Sequence, residues 1–244
     1  MAYGRSTGPE YMALTNNQIE RYSRQIIVPG IGGRAQEKLL ASCVALVAEP
    51  VDAAGALAYL VGAGVGRIVV HPVADPASYG ETVEAMRDLN PDVRVAVAGA
   101  EASKPSGFVP DLLLALISGE PGRQAAARIW DSRRSLAEST RSGHYCLIVI
   151  ARLDEPGRIA ILPAPPPCPL CVDTDLLTPT VGRGVNSGVV AMVAVVETFK
   201  LLAGFAGRTT AAEIIEFTGY ACTPRALGRR PSDGGQARCA CEAS

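Results

Sequence analysis

Residues 44–55 read VALVAEPVDAAG. A β-branched run, Val44-Ala45-Leu46-Val47, meets turn chemistry and then a small-residue helical pattern, GALAYLVGAG. Strand, loop and helix in that order form the unit that cradles a phosphate at a helix N-terminus. The loop departs from that use. Ala48-Glu49-Pro50-Val51-Asp52 has no glycine, Pro50 offers no amide, and Glu49 and Asp52 bring carboxylates to where a polyanion would sit. The later run Gly62-Ala63-Gly64-Val65-Gly66 lies at the far end of the helix and is no substitute for a phosphate loop.

Outward from this unit, strands and helices alternate. Residues 1–13 read as a polar arm, followed by a helix start at Leu14-Thr15-Asn16-Asn17, where Thr15 or Asn16 caps. That helix carries IERYSRQII, with Ile19, Tyr22 and Ile26 on one face, and a second helix, GGRAQEKLLAS, leads into the strand CVALVA. After the first unit come the strand GRIVVHP, the helix YGETVEAMRDLN, the strands DVRVAVAG and DLLLALIS, the helix GRQAAARIWDSRRSLAEST and the strand YCLIVIARL. This alternation predicts an α/β fold with a doubly wound, mostly parallel sheet. Past Arg152 the strand GRIAIL runs into the proline-rich PAPPPCPLC and an irregular segment, DTDLLTPTVGRGVNSG. A long apolar helix, VVAMVAVVETFKLLAG, then stops at glycine; a strand, AEIIEFTGYAC, and a polar tail from Pro224 close the chain.

Composition narrows the function. Of 244 residues 48% are hydrophobic but only 5% aromatic, so the core is built from Ala, Val, Leu and Ile, which suits helices packed closely on a parallel sheet. A net charge of −1 without long Lys/Arg runs excludes nucleic acid and anionic membrane as primary partners. There is no signal-type apolar region and no membrane-length apolar stretch, so a cytoplasmic location is expected. In that reducing compartment, clustered members of the seven cysteines point to metal rather than disulfides.

Five stretches, ERYSRQIIVPGIGGRAQEKLLAS, AYLVGAGVGRIVV, LNPDVRV, CPLC and ETFKLLAG, occur in an order that resembles the ThiF/MoeB/HesA superfamily, the bacterial relatives of ubiquitin-activating enzymes. The resemblance covers about Leu14 to Cys241. It implies one Rossmann-like domain over residues 14–241. Residues 14–152 would form the nucleotide half with its N-terminal helical segment, and residues 153–241 a crossover loop, zinc knuckle, dimerisation helix and strand. The implied activity is ATP-dependent adenylation of the C-terminal glycine of a ubiquitin-like or sulfur-carrier protein.

Against the family pattern, three parts of the ATP site are missing. The G-x-G-G-x-G loop is replaced by residues 48–55, where only Gly55 survives. The acidic pair after the second strand gives way to His71-Pro72, and the Asn-Arg-Gln segment and lysine that should follow are deleted. Where the family has a magnesium-binding Asp, this chain has Ser118-Gly119, and a serine hydroxyl is a weak ligand for that cation. ATP and magnesium are therefore not expected.

What survives is Arg21-Tyr22-Ser23-Arg24-Gln25. By resemblance Arg21 and Arg24 are candidate phosphate contacts, with Arg24 the residue one subunit places on its partner's ATP; a surface ion pair is the competing reading of Arg24. Cys168 and Cys171 match a zinc knuckle, and Cys239 and Cys241, one residue closer than the usual pair, would complete a four-cysteine structural site. No cysteine falls between Cys171 and the long helix, so a thioester role is unsupported. Cys43, Cys146 and Cys222 read as structural thiols, and His71 and His144 as structural histidines. The expectation is a degenerate, non-catalytic subunit or scaffold, forming a homo- or heterodimer with an active ThiF/MoeB-type subunit, a carrier protein or both. Two rivals stand beside it. One is an active adenylyltransferase using Glu120 or Asp75 for magnesium; the other is a homodimeric binding module for another small molecule or peptide.

Overall fold

Every residue from Val44 to Ala48 is fully buried. This is the pattern of a central parallel strand covered on both faces, and it explains an apolar run that does not alternate. The computed structural model describes residues 13–99, 110–129, 147–153, 157–162, 187–204, 213–218 and 221–226. In it Cys43–Ala48 (β1) pairs in parallel with Arg67–Pro72 (β2) and with Leu112–Ile117 (β4). Arg94–Val97 (β3) lies outside β2, and Leu147–Arg152 (β5) beyond β4, both parallel. Gly157–Leu162 (β6), Glu213–Thr218 (β7) and Ala221–Ala226 (β8) extend the sheet antiparallel, in the order β3-β2-β1-β4-β5-β6-β7-β8.

The helices are Asn16–Arg21 (α1), Ser23–Ile26 (α2), Gly32–Ala41 (α3), Pro50–Ala63 (α4), Gly80–Leu89 (α5), residues 120–129 (α6) and Ser187–Ala203 (α7). A 3-10 turn, Pro76–Tyr79, precedes α5. Thr15 caps α1 through a reciprocal box with Gln18, as the helix-start signal predicts. α4 and α7 share one face of the sheet: Ala53, Leu57, Leu60, Val190, Ala194 and Val195 close over Val44, Leu46, Leu114 and Ile159.

Two elements differ from the sequence reading. The helix drawn through IERYSRQII breaks at Tyr22 (φ −97°, ψ 12°), because its buried ring and hydroxyl are held by other elements. Ile19, expected on the packed face, is 48% exposed. The single strand read in AEIIEFTGYAC is a hairpin: Thr218 pairs with Ala221, and β8 runs on through Pro224 as the outer strand, where a missing ladder amide is tolerated.

Candidate functional site

The chain leaves β1 for β2 on one side, while β4 lies on the other, so the order of strands reverses at β1. In open α/β sheets ligands bind in the crevice at this switch point, outside the carboxyl ends of the strands. Here side chains of the protein bridge that crevice. A single residue, Glu49, separates β1 from α4. Ser118, the first residue after β4, donates its hydroxyl to Glu49 Oε1 at 2.8 Å. On the β2 side Tyr79, fully buried, donates its phenol to the Ala48 carbonyl at 2.7 Å and accepts from the Val73 amide at 3.1 Å. Both flanks of the β1 terminus are thus tied to their neighbours.

The end of α4 is also changed in kind. The sequence reading treats residues 48–52 as loop, but the helix starts at Pro50, which stands at its first position, where proline is preorganised and its missing amide costs the helix nothing. The effect is felt by a ligand: one amide that a phosphate would need is absent. Asp52, in the first turn and only 6% exposed, and Glu49, the N-cap, place two carboxylates at the positive pole of the helix.

Around the crevice the other acidic and titratable residues are engaged. Asp75 caps the 3-10 turn through the Ala77 amide at 3.1 Å. Glu120 holds Arg123 at 2.8 and 3.0 Å, and that hydrogen bond keeps its carboxyl below the usual range. Burial at the end of β2 pushes His71 down to about 4. Among the described residues no three of His, Cys, Asp and Glu converge as a metal site.

A second polar cluster sits at the opposite end of α4. Asn90, 2% exposed, donates to the Val61 carbonyl at 2.7 Å and to the Tyr22 hydroxyl at 2.9 Å. Asp92 accepts from Tyr22 at 3.3 Å and pairs with Arg21 at 3.2 Å. Burial, opposed by the Asn90 hydrogen bond, raises the Tyr22 phenol above its ordinary value. Arg24 differs from Arg21: it is exposed on α2, and no carboxylate among the described residues pairs with it.

No protein-family model matches the chain. The vegetative HesA protein of Trichormus variabilis is 27% identical over 224 residues, spanning 79% of this chain and 79% of the relative. The sulfur carrier protein adenylyltransferase of Thermus thermophilus is 41% identical over 59 residues, 24% of this chain and 22% of the relative. The adenylyltransferase and sulfurtransferase MOCS3 of Aedes aegypti matches at 49% over 55 residues, only 13% of its length. These relatives are of the ThiF/MoeB/HesA type, and the chain is similar to them. Two solved structures share the fold: PaaA, with a TM-score of 0.55 at 12% identity over 88% of this chain and 84% of that one, and E. coli MccB crystallised with AMPCPP and MccA, with a TM-score of 0.59 at 12% identity over 89% and 74%.

Set against ThiF/MoeB/HesA expectations, the structure brings Glu49 and Ser118 together, residues that the sequence reading treats as separate losses. Tyr79 escaped that reading, although a tyrosine within the turn-rich DPASYG, if buried, needs a partner for its hydroxyl. Of the RYSRQ pair, Arg21 is bound to Asp92 and Arg24 is presented outward. Cys168, Cys171, Cys239 and Cys241, with Cys146 and His144, lie outside the described residues. Cys43 is partly exposed at the start of β1.

Proposed function

We propose that this ThiF/MoeB/HesA-type chain is non-catalytic. It acts as a subunit or scaffold in the activation of a ubiquitin-like or sulfur-carrier protein and lends Arg24 in trans to an adenylating partner. One observation carries this: the crevice at the switch point is bridged by the chain's own Glu49–Ser118 hydrogen bond, while Arg24 faces outward with no carboxylate partner among the described residues. The residues a triphosphate would need in cis are replaced, and the residue needed only by a partner is kept. The names of the relatives support the class of partner, since one is a sulfur carrier protein adenylyltransferase and MccB was crystallised with MccA. A structural zinc held by Cys168, Cys171, Cys239 and Cys241 belongs to the same reading.

The test is ATP–pyrophosphate exchange by an active adenylating subunit from the same cell, with and without this protein. The protein alone is inactive, stimulates the partner, and loses that stimulation as Arg24→Ala. Exchange by the purified protein alone, or equal stimulation by Arg24→Ala, defeats the reading.

A further inference from the structure

Of residues 13–30 only Tyr22 is buried. α1 and α2 bury no side chain of their own, and Ile19, Ile27 and Val28 stand 48%, 77% and 43% exposed. Helices of six and four residues do not persist in water on their own strength, and apolar burial supplies little here, so what fixes this strap is the polar chemistry at its joint.

That chemistry converges on one carboxylate. Asp92 Oδ2 accepts from the Tyr22 hydroxyl at 3.3 Å and pairs with Arg21 Nε at 3.2 Å, while Asp92 Oδ1 accepts from Gln18 Nε2 at 3.5 Å. Gln18 and Arg21 belong to α1, and Tyr22 is the residue at which α1 gives way to α2. Asp92 is held in turn: its amide donates to Asn90 Oδ1 at 3.1 Å, and Asn90 is anchored on the last turn of α4 through the Val61 carbonyl. The path from the core to the strap runs through α4, Asn90, Asp92 and α1. On the α2 side Gln25 donates to the Gly62 carbonyl at 3.4 Å, a long and therefore weak bond. The side chains of Arg21 and Asp92 are 39% and 24% exposed, so salt reaches this pair and screens it.

We propose that Asp92 is the latch of a hinged N-terminal strap, residues 13–30, and a positioning residue for Arg24. It acts on Arg24 through α1 and Tyr22, from which α2 continues and carries Arg24 two residues on. The positioning role rests on the reading of Arg24 as presented in trans; the latch does not.

Hydrogen exchange on the purified full chain, with thermal melting as the folding control, tests the latch. The amides of Tyr22, Gln25 and Ile26 are bonded within the strap and exchange when it opens, and those of β1 and β4 report on the rest of the molecule. Asp92→Ala, and the milder Asp92→Asn, which keeps an acceptor but not the charge, speed strap exchange about tenfold and leave β1 and β4 unchanged. Added salt speeds strap exchange in the wild type and not in Asp92→Asn, a response that a packing role would not give. Strap exchange in Asp92→Ala as slow as in the wild type overturns the inference, as does acceleration spread evenly over β1 and β4 in both variants or a wild-type strap indifferent to salt. In pyrophosphate exchange with an active adenylating subunit, Asp92→Ala lowers the maximal stimulated rate about tenfold, well within what a misplacement of ~1 Å can cost, and leaves the half-stimulating concentration of the chain unchanged. A strap opened by Asp92→Ala that still stimulates to the wild-type maximum removes the positioning role. Equal stimulation by Arg24→Ala defeats the trans reading of Arg24 while the latch, read by exchange in the isolated chain, stands.

Discussion

Gly66 has no room for a side chain, because a Cβ there would run into the Leu40 carbonyl at the end of α3. Gly64 is constrained twice: it ends α4 at φ +84°, and a Cβ would meet Gln36 Nε2 and Tyr22 Cε1, each at 2.7 Å. The run Gly62–Gly66 is thus a helix stop and a close backbone approach. Gly66→Ala and Gly64→Ala should each cost about 3 kcal/mol or more, since neither clash is with a side chain that can swing away freely. Gly80→Ala, at a helical φ of −57° in open space, should gain ~0.5 kcal/mol. Urea denaturation separates the three. His71 sets a pH dependence. Its folded value, near 4, lies below the ordinary 6.5, so the unfolded chain takes up a proton that the folded chain refuses. Its contribution is complete above pH 6.5 and is lost as the pH falls toward 4, at up to about 1.4 kcal/mol per unit. Melting curves across that window should flatten in His71→Gln; an unchanged slope would remove His71 as the cause.

At the scale of elements, two ties flank α4, one on the β1 end that precedes it and one on its own last turn. Tyr79→Phe keeps the buried ring but strands the Ala48 carbonyl and the Val73 amide, so it should cost ~1–3 kcal/mol. Asn90→Ala removes two donated bonds and leaves the Val61 carbonyl and the Tyr22 hydroxyl short of a partner, for a loss of ~2–4 kcal/mol. Equilibrium unfolding measures both, and a loss below ~0.5 kcal/mol in either would deny that the tie carries stability. The elements themselves were legible in the sequence, because β1 and β4 are unbroken apolar runs, β2 is built on the β-branched Ile68-Val69-Val70, and α4 ends on a glycine whose positive φ stops it. The ties were not. Ser118 and Glu49 are 69 residues apart and Tyr79 and Ala48 are 31 apart, and no periodicity reports which polar side chain reaches which strand end. The same holds for RYSRQ: the motif offers both Arg21 and Arg24 as candidate phosphate contacts, and only the fold gives one of them Asp92. Pro50 was misread for a related reason, since a proline between strand and helix fits a loop as well as a first helical turn.

For the molecule as a whole, what matters is whether the superfamily fold still recognises nucleotide. On the proposed non-catalytic reading, Glu49, Asp52, Pro50 and Tyr79 each act against a triphosphate at the switch point, by charge, by a missing amide or by their place at the strand end. Binding to the folded state alone would be visible as stabilisation: a ligand at a hundredfold its dissociation constant adds ~2.7 kcal/mol. For a chain of this size each kcal/mol moves the midpoint by ~2–4 °C, so a working site should raise it by ~5–10 °C in excess ATP and magnesium. The non-catalytic reading predicts a shift below ~1 °C, with AMP and ADP equally inert. A rise of several degrees that saturates with ATP and requires magnesium would reverse the non-catalytic reading, because the bridges at Glu49 and Tyr79 would then have to open for nucleotide. If the chain is inert alone and the shift appears only after an adenylating subunit is added, the nucleotide is bound by that subunit, and Arg24→Ala tests whether this chain contributes to holding it.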